Sequence, residues 1–371
     1  MGARAGGGGV NVEGVELGDV ELGHVELGGM VVRADDQALD ALAQVQEGGE
    51  GLAVVTDGDG RVIGTVTDGD VRRAALAGND LSVPVASIMG DDPAMVAPGA
   101  SDHEVRAALE RHGLPAVAVV DDGRLVGLRH IADVGGALAP VSAVILAGGR
   151  GQRLRPLTDK VPKPLLTVGR TTIVERLLEG LATAGVAEVY LAVNYMAEAF
   201  EQRLGDGERH GVHLRYLRER KPLHTAGPLT LLPEVVPGPI VVMNADQVTA
   251  LHFARLVDFH RQQGAAVTVG TFEHMVQVPY GVLRLDGPSV LGIDEKPVVR
   301  HLCNAGIYVV EPDVVKLIPR NTFFGMPNLV EAALADGRSV AAFPILEKFI
   351  DIGTLEELEA ALVLFATGEE V

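Results

Sequence analysis

Apolar and polar positions fall into two kinds of run along this chain. From Val141 onward, short runs at 141–146, 188–193, 240–243, 267–271 and 304–309 are almost wholly apolar and rich in valine, isoleucine and leucine. Runs of that length and composition predict buried strands. Between and after them lie segments of helical period, at 172–184, 197–204, 252–263, 326–336 and 354–366. Strands alternating with amphipathic helices predict an α/β domain with a mostly parallel sheet. Ligands of such sheets bind outside the carboxyl ends of the strands.

Residues 30–139 follow a different rhythm, and follow it twice. A helix near Ala38–Gln46 precedes the apolar runs Leu52–Thr56 and Val62–Val66, and a second helix follows Asp70. Asp57-Gly58-Asp59-Gly60 between the two runs is a strong hairpin signal. The order then repeats, with a helix near Asp102–Arg111, strands Ala116–Val120 and Leu125–Leu128 around Asp121-Asp122-Gly123, and a last segment from Ile131. An internal duplication of about 55–60 residues accounts for both halves. Residues 1–29 fit neither pattern. They hold a glycine run and a five-residue echo, Val15-Glu16-Leu17-Gly18, Val20-Glu21-Leu22-Gly23 and Val25-Glu26-Leu27-Gly28. Units this short and glycine-rich cannot bury a core, so a flexible low-complexity tail is expected. With Ala137–Pro140 as a short linker, the expected organisation is a tail at 1–29, a duplicated module at 30–139 and an α/β domain at 140–371.

Composition narrows the function. A chain of 371 residues with 47% apolar content has room for two or three domains with sizeable cores. The formal charge of −19 argues against nucleic acid or an anionic membrane as partner. That charge is uneven: 23 acidic and 9 basic residues stand up to position 139, and 27 and 22 after it. Anionic substrates are therefore expected on the C-terminal part. The single cysteine, Cys303, excludes an internal disulfide and fits a reducing cytoplasm. No apolar run reaches the ~20 residues needed to cross a bilayer, and the N-terminus lacks a signal-peptide core.

The most specific run is Leu146-Ala147-Gly148-Gly149-Arg150-Gly151-Gln152-Arg153-Leu154-Arg155-Pro156-Leu157-Thr158, followed by Pro162-Lys163-Pro164. Glycines after a strand let the backbone turn tightly and aim its N–H groups at a ligand. Arg153 and Lys163 add positive charge, so the run makes a cradle for a polyphosphate. It is not a Walker loop, because no Gly-Lys-Ser/Thr closes it, and it lacks the Gly-x-Gly-x-x-Gly of a dinucleotide site.

This run resembles the signature of sugar-1-phosphate nucleotidylyltransferases, and the Thr225-Ala226-Gly227 segment with the C-terminal pattern resembles the mannose-1-phosphate guanylyltransferase type among them. The resemblance implies a Rossmann-like nucleotidyltransferase domain with a mostly parallel mixed sheet. It also implies nucleotide contacts from Leu146, Ala147, Gly148, Gly149 and Gly151, and from Thr225, Ala226 and Gly227 beside the base. Further landmarks come in the family's order. Asn244-Ala245-Asp246 follows the strand 240–243, and Asp351-Ile352-Gly353-Thr354 follows Phe349-Ile350. Two carboxylates from different strand ends can share Mg²⁺, a cation of oxygen ligands, so Asp246 and Asp351 are the expected metal ligands. Glu295-Lys296-Pro297, Asn304-Ala305-Gly306 and Pro279-Tyr280-Gly281 match the family's sugar side. The implied catalytic residues are Arg153, Lys163, Asp246, Lys296 and Asp351; Tyr280, Gly281, Glu295 and Asn304 would bind the sugar, with Asn194-Tyr195 nearby. Two positions depart from the pattern, His224 and Ala245, where relatives carry glycine.

The duplicated module resembles a pair of CBS domains, an α+β tandem. Gly64-Thr65-Val66-Thr67-Asp68-Gly69-Asp70 matches the family's end motif, which implies that Thr67 and Asp70 hold an AMP- or ATP-type ligand. Both are equally good helix caps. In the second half Asp133 is kept, but His130 stands in the threonine position. The remaining histidines make no metal constellation: His210 and His213 fall in an expected turn with solvated side chains, and His301 with Cys303 is too small a set for zinc.

Together the resemblances imply Mg²⁺-dependent transfer of a nucleotidyl group from an NTP, GTP foremost, to a sugar 1-phosphate such as glucosamine or mannose 1-phosphate. CBS-fused forms resemble makers of GDP-glucosamine, and a cyclitol phosphate is an open alternative. The competing class is a catalytically inactive nucleotide sensor. CBS pairs commonly associate face to face, which implies a homo-oligomer.

Overall fold

The computed structural model describes residues 30–134 and 140–365. The expected tail at 1–29, linker residues 137–139 and the last residue of the expected helix 354–366 lie outside the described residues.

The first repeat comprises β1 (Val31–Arg33), α1 (Ala38–Gly48), β2 (Leu52–Thr56), β3 (Val62–Thr67) and α2 (Asp68–Leu76). The second comprises β4 (Met95–Val96), α3 (Asp102–His112), β5 (Ala116–Asp121) and β6 (Arg124–His130), and closes on a 3₁₀ turn at Ala132–Val134. Each repeat forms a three-stranded sheet, β1-β2-β3 and β4-β5-β6, with one parallel and one antiparallel pair. The Asp57 carboxylate closes the first hairpin by accepting from the Asp59 and Arg61 N–H groups at 3.0 and 2.9 Å. Strand β2 is apolar from Leu52 to Val55 because it is buried on both faces. Ala53 and Val55 pack into the core of the first repeat, while Leu52 and Val54 face a core built mostly from the second. The period-2 alternation of a strand thus joins the two repeats.

The α/β domain carries β7 (Ser142–Leu146), a small hairpin β8 (Thr167–Val168) and β9 (Thr171–Thr172), α4 (Ile173–Thr183), β10 (Glu188–Val193) and α5 (Ala197–Leu204). It continues through β11 (His213–Arg218), β12 (Ile240–Asn244), β13 (Gln247–Thr249), α6 (Phe253–Gln263) and β14 (Val267–Gln277). Then come β15 (Val282–Asp286), β16 (Ser289–Asp294), β17 (Val298–Val310), α7 (Met326–Ala335), β18 (Val340–Pro344), β19 (Phe349–Asp351) and α8 (Leu355–Phe365). Seven strands form one sheet in the order β11-β10-β7-β12-β17-β14-β18. All its pairs are parallel except those of β17, which is antiparallel to β12 and β14. Alternate residues of β7 feed opposite faces: Ala143 and Ile145 pack with α4 and α6, and Val144 packs with α7.

In the seven-stranded sheet two strands, β11 and β18, lie outside the expected set, as do the short strands β8, β9, β13, β15, β16 and β19 elsewhere in the domain. His213 opens β11 rather than sitting in a turn, because that segment pairs in parallel with β10. His210 is also not solvated. Its side chain is 7% exposed and lies 3.9 Å from Glu175 and 3.7 Å from Glu179. Strands β14 and β17 run past the expected 267–271 and 304–309, and their paired extensions carry the β15–β16 hairpin as an exposed arm.

The two parts of the chain meet along α2. Arg72, fully buried, reaches from α2 to the C=O of Pro344 and the carboxylate of Glu347, both at 2.6 Å. Burial opposes its charge, but Asp68 and Glu347 more than restore it and hold its pKa above the ordinary value. On α6, Arg255 donates from Nη2 to the Val45 C=O at 2.6 Å, at the end of α1.

Candidate active site

The chain leaves the sheet at the carboxyl end of β7, where the Ala147 N–H still bonds the Ala192 C=O at 2.8 Å. The glycines that follow have distinct reasons. A Cβ on Gly148 would lie 2.6 Å from the Glu219 carboxylate, which would have to shift to admit a side chain. Gly151 takes φ +57°, in the left-handed region, and turns the chain into a 3₁₀ segment over Gln152–Leu154. Thr158 Oγ1 fastens the turn by donating to the Gly151 C=O at 2.7 Å.

The loop opens on a pocket of about 440 Å³, lined by Leu146–Ala147, Gly149–Leu154, Lys163–Pro164, Ala245–Asp246 and Gly353. Lys163 is 7% exposed and its Nζ lies 2.6 Å from Asp246 Oδ2. The other oxygen, Asp246 Oδ1, is buried without a hydrogen-bond partner. Antiparallel pairing of β13 with β19 sets Gln247 opposite Asp351, and the Ile352 N–H bonds the Asp246 C=O at 2.9 Å. The two acidic motifs are thereby neighbours, although 105 positions separate their carboxylates in sequence. Asp351 is exposed to solvent at its outer side, but partial desolvation raises its pKa above the ordinary value, the Asp246 charge adds to the rise, and Lys163 and Arg153 oppose it. A Cβ on Gly353 would lie 2.9 Å from Arg153 Nη1, so a side chain there would displace the guanidinium. Asp246 lines this pocket, and Asp351 stands beside it on the paired strand.

The structure thus brings Arg153, Lys163, Asp246 and Asp351 to the glycine loop. It does not bring the sugar-side residues into the pocket wall. Tyr280, 74% exposed, and Gly281, Glu295 and Lys296 lie on the β14–β17 arm. There Gly281 admits the Glu295 carboxylate, which would lie 2.9 Å from a Cβ, and Lys296 takes φ +47°. Asn304 stands at the foot of the arm. Its Oδ1 accepts from the Gly306 N–H at 2.9 Å and its Nδ2 bonds the Tyr308 hydroxyl at 2.6 Å.

Thr225, Ala226 and Gly227 also stand outside the pocket lining. The Ala226 and Gly227 N–H groups bond the Phe324 C=O at 2.9 Å, and Thr225 Oγ1 accepts from the Met326 N–H at 2.8 Å. His224 adopts φ +68°, the left-handed conformation that favours glycine. The loop therefore keeps its shape despite the departure, with the imidazole edge-on to Phe323 at 4.6 Å. Ala245 is not in the left-handed region, so alanine is tolerated there.

Glu219, behind the glycine loop, was not singled out by the sequence reading. One carboxylate oxygen lies 2.6 Å from where a Cβ on Gly148 would stand, and the other accepts from the Leu223 N–H at 2.8 Å. Burial raises its pKa. The sequence carried no clear signal for it, because β11, which it follows, is an edge strand interrupted by His213, Arg215 and Arg218.

In the duplicated module, Thr67 and Asp70 form the capping box of α2: the Thr67 N–H and hydroxyl both donate to Asp70 Oδ2, at 2.8 and 2.7 Å. They also line a cleft of about 510 Å³ together with Arg73, Arg111 and His112. Gln262 and Gln263, from α6 of the other domain, complete that cleft. In the second repeat His130 is engaged by Glu50 at 3.1 Å.

Comparison with known proteins agrees with this geometry. A family model described as nucleotidyl transferase matches residues 142–367, and one for the CBS domain matches 30–77 and 85–134. The mannose-1-phosphate guanyltransferase of Candida albicans is 35% identical over 241 residues, covering 62% of this chain and 65% of that protein. The mannose-1-phosphate guanylyltransferase catalytic subunit beta of Drosophila pseudoobscura pseudoobscura is 35% identical over 233 residues, 61% of this chain and 62% of that one. The match thus spans somewhat less than two thirds of these relatives. A solved structure from Bacillus anthracis, provisionally described as a glucose-1-phosphate thymidylyltransferase in complex with a sucrose, shares the fold with a TM-score of 0.50 at 23% identity. It covers 61% of this chain and 95% of its own. Among the described residues no helix is long and apolar enough to cross a membrane. From the glycine loop to the paired acidic strands, and across the 226 residues matched by the family model, the chain belongs to the nucleotidyl transferase family, with a pair of CBS domains ahead of the transferase domain.

Proposed function

We propose that this protein transfers a guanylyl group from GTP to a sugar 1-phosphate, mannose or glucosamine 1-phosphate, releasing pyrophosphate. The observation that carries the reading is the meeting of Arg153, Lys163, Asp246 and Asp351 around one glycine loop. The names and identities of the Candida and Drosophila relatives favour guanine and mannose 1-phosphate. The organisation that goes with it is a tail at 1–29, a CBS regulatory module at 30–139 and a catalytic domain at 140–371.

The reaction needs little from the protein beyond position and charge. A phosphate monoester has a second pKa near ~6, so the sugar phosphate is largely ionised at neutral pH without a general base. Its oxygen attacks the α-phosphorus in line, forming one P–O bond as the bond to the departing pyrophosphate breaks. The loop N–H groups and Arg153 hold the triphosphate and receive the charge that builds on the leaving group. Lys163 supplies a compact, fixed charge at the α-phosphate. Lys296 is the group for the sugar phosphate and Glu295 and Asn304 for the sugar hydroxyls in this reading.

Mg²⁺ fits the chain's own residues. The buried, unpartnered Asp246 Oδ1 and the neighbouring Asp351 offer the one or two carboxylates that Mg²⁺ takes when phosphates and waters fill its remaining positions. When bound, the ion neutralises charge on the reacting phosphates. At the CBS cleft, Thr67 and Asp70 offer a hydroxyl and a carboxylate to a ribose, and Arg73 and Arg111 offer cations to a phosphate. An AMP- or ATP-type regulator is the ligand class that suits them. The single cysteine accords with a cytoplasmic setting.

The deciding experiment is pyrophosphate release by the purified chain with Mg²⁺, across four nucleoside triphosphates and mannose, glucosamine, glucose and N-acetylglucosamine 1-phosphates. Release with GTP and mannose or glucosamine 1-phosphate is the expected result. Silence across the panel from folded protein overturns the reading and returns the chain to a nucleotide sensor.

A further inference from the structure

Arg72 belongs to the CBS part of the chain but makes three of its five hydrogen bonds with the transferase part. On its own side, Nε and Nη2 bond the Asp68 carboxylate at 2.6 and 3.0 Å. Across the boundary, Nη1 bonds the Pro344 C=O at 2.6 Å, and the Glu347 carboxylate takes Nη2 at 2.6 Å and Nη1 at 3.3 Å. The guanidinium also stacks on Phe343, 4.0 Å from the ring centre. A planar fork used on every side fixes the position of whatever it holds.

What it holds is the turn that leads into β19. Pro344 closes β18, and Asp351 closes β19 seven residues later. Between them, Glu347 is gripped by Arg72 and also accepts from Gln46 Nε2 of α1 at 3.3 Å. The next C=O, Lys348, accepts from the Ala250 N–H at 2.9 Å. Then β19 pairs with β13 in a two-stranded ladder of three residues, Phe349–Asp351 against Gln247–Thr249. A ladder that short and narrow does not hold its own register firmly. A fixed entry turn supplies the missing constraint.

We infer that Arg72 is a positioning residue for the catalytic centre, holding the 344–347 turn so that β19 delivers Asp351 beside Asp246 and Lys163. The inference rests on the transferase reading for the role of Asp351. It makes the CBS module part of the active-site scaffold, and it gives the cleft lined by Thr67 and Asp70 a direct neighbour in α2 through which occupancy can reach the reaction.

The test compares full-length wild type with Arg72→Ala, Arg72→Lys and Glu347→Gln, well below the melting temperature of each. Two readouts are taken: Mn²⁺ affinity with GTP present, from the loss of the free-ion EPR signal, and the rate of pyrophosphate release at saturating substrates. Arg72→Ala is expected to weaken Mn²⁺ binding and lower kcat by about tenfold each. Arg72→Lys, which keeps the charge but not the fork, falls between. Glu347→Gln keeps the volume of the turn residue and answers the case in which Arg72→Ala fails to fold; it shifts both readouts in the same direction, less far. Unchanged Mn²⁺ affinity and kcat in the folded variants, with only melting lowered, overturns the inference and leaves Arg72 a domain clamp. If wild type binds Mn²⁺ but releases no pyrophosphate, the transferase reading fails and the Mn²⁺ series alone decides the role of Arg72. Wild type that binds no Mn²⁺ overturns both.

Discussion

Lys163 and Asp246 meet at 2.6 Å, ammonium to carboxylate, at the floor of the glycine-loop pocket. The pair is half of a charge balance: one carboxylate oxygen is satisfied by the cation, and the other is buried with no partner. An ionised group left half-satisfied in a pocket is expensive to bury, and its retention points to chemistry rather than stability. Asp246→Asn keeps the shape and removes the charge. It is expected to lower kcat by at least about 100-fold, while a melting curve shows a loss of about 1–2 kcal/mol from the unpaired Lys163. Turnover within a few-fold of wild type would sink the assignment.

Gly306 is a second lock on the acidic loop. It takes φ +70°, and a Cβ there would lie 2.5 Å from Asn244 Nδ2 and 2.6 Å from Gln247 Nε2. These two side chains flank Ala245-Asp246. Gly306→Ala adds the left-handed penalty of ~1–2 kcal/mol to the clash. Denaturant unfolding is expected to register a loss of at least about 2 kcal/mol, and the displaced loop to reduce turnover. Wild-type values in both measurements would show that the turn has room to relax.

Asp258, on α6 at the boundary between the two parts, makes the protein sensitive to mildly acidic pH. Burial raises its pKa from 3.8 to about 6, with Arg261 and Arg255 opposing the rise and Asp68 adding to it. A carboxyl whose folded pKa exceeds its unfolded value favours folding in its protonated state. Its contribution is fully present below pH 3.8 and is lost as pH rises through about 6. Asp258→Asn removes that loss. The variant is expected to exceed wild type by about 2–3 kcal/mol at pH 8 and to converge with it near pH 4. Equal stability at both pH values would exclude the shift.

Glu175 works with the opposite sign. Burial opposes its ionisation, but the Arg203 guanidinium and the N–H and hydroxyl of Thr172 prevail and bring its pKa from 4.5 down to about 2. The stabilisation is present above pH 4.5 and fades as pH falls through about 2. Since the Arg203 side chain is 53% exposed, solvent screening leaves only a modest part of that stabilisation. Glu175→Gln is expected to lose that part at pH 7 and almost nothing near pH 2, measured by urea unfolding at each pH.

The helices and the central strands were legible because their apolar residues repeat at one period over many positions. Expected helices at 172–184, 197–204, 252–263 and 326–336 correspond to α4, α5, α6 and α7 within a residue or so of each end. Strand β11 escaped because it lies at the sheet edge, where His213, Arg215 and Arg218 are exposed and break the apolar run. β18 escaped for a related reason: it is short, with only Phe343 and Pro344 fully buried. At the site, Arg153, Lys163, Asp246 and Asp351 were readable because each sits in a short motif next to a strand end or a glycine turn. Glu219 had no such motif, and its place against Gly148 depends on β11 being a strand at all.

By itself the sequence determined what is local: the duplicated CBS pattern, the α/β alternation, the glycine turn after β7, and which charged residues stand at strand ends. Periodicity and backbone freedom act over a few residues, so they are written there. Tertiary structure alone decided which of those charges meet. It set Asp351 beside Asp246 through the β13–β19 pair, left Tyr280, Glu295 and Lys296 out on an arm, and tied Arg72 to the turn at Glu347. Such contacts depend on strand order and domain packing, where residues hundreds of positions apart come within a hydrogen bond of each other, and no local pattern of residues encodes that distance.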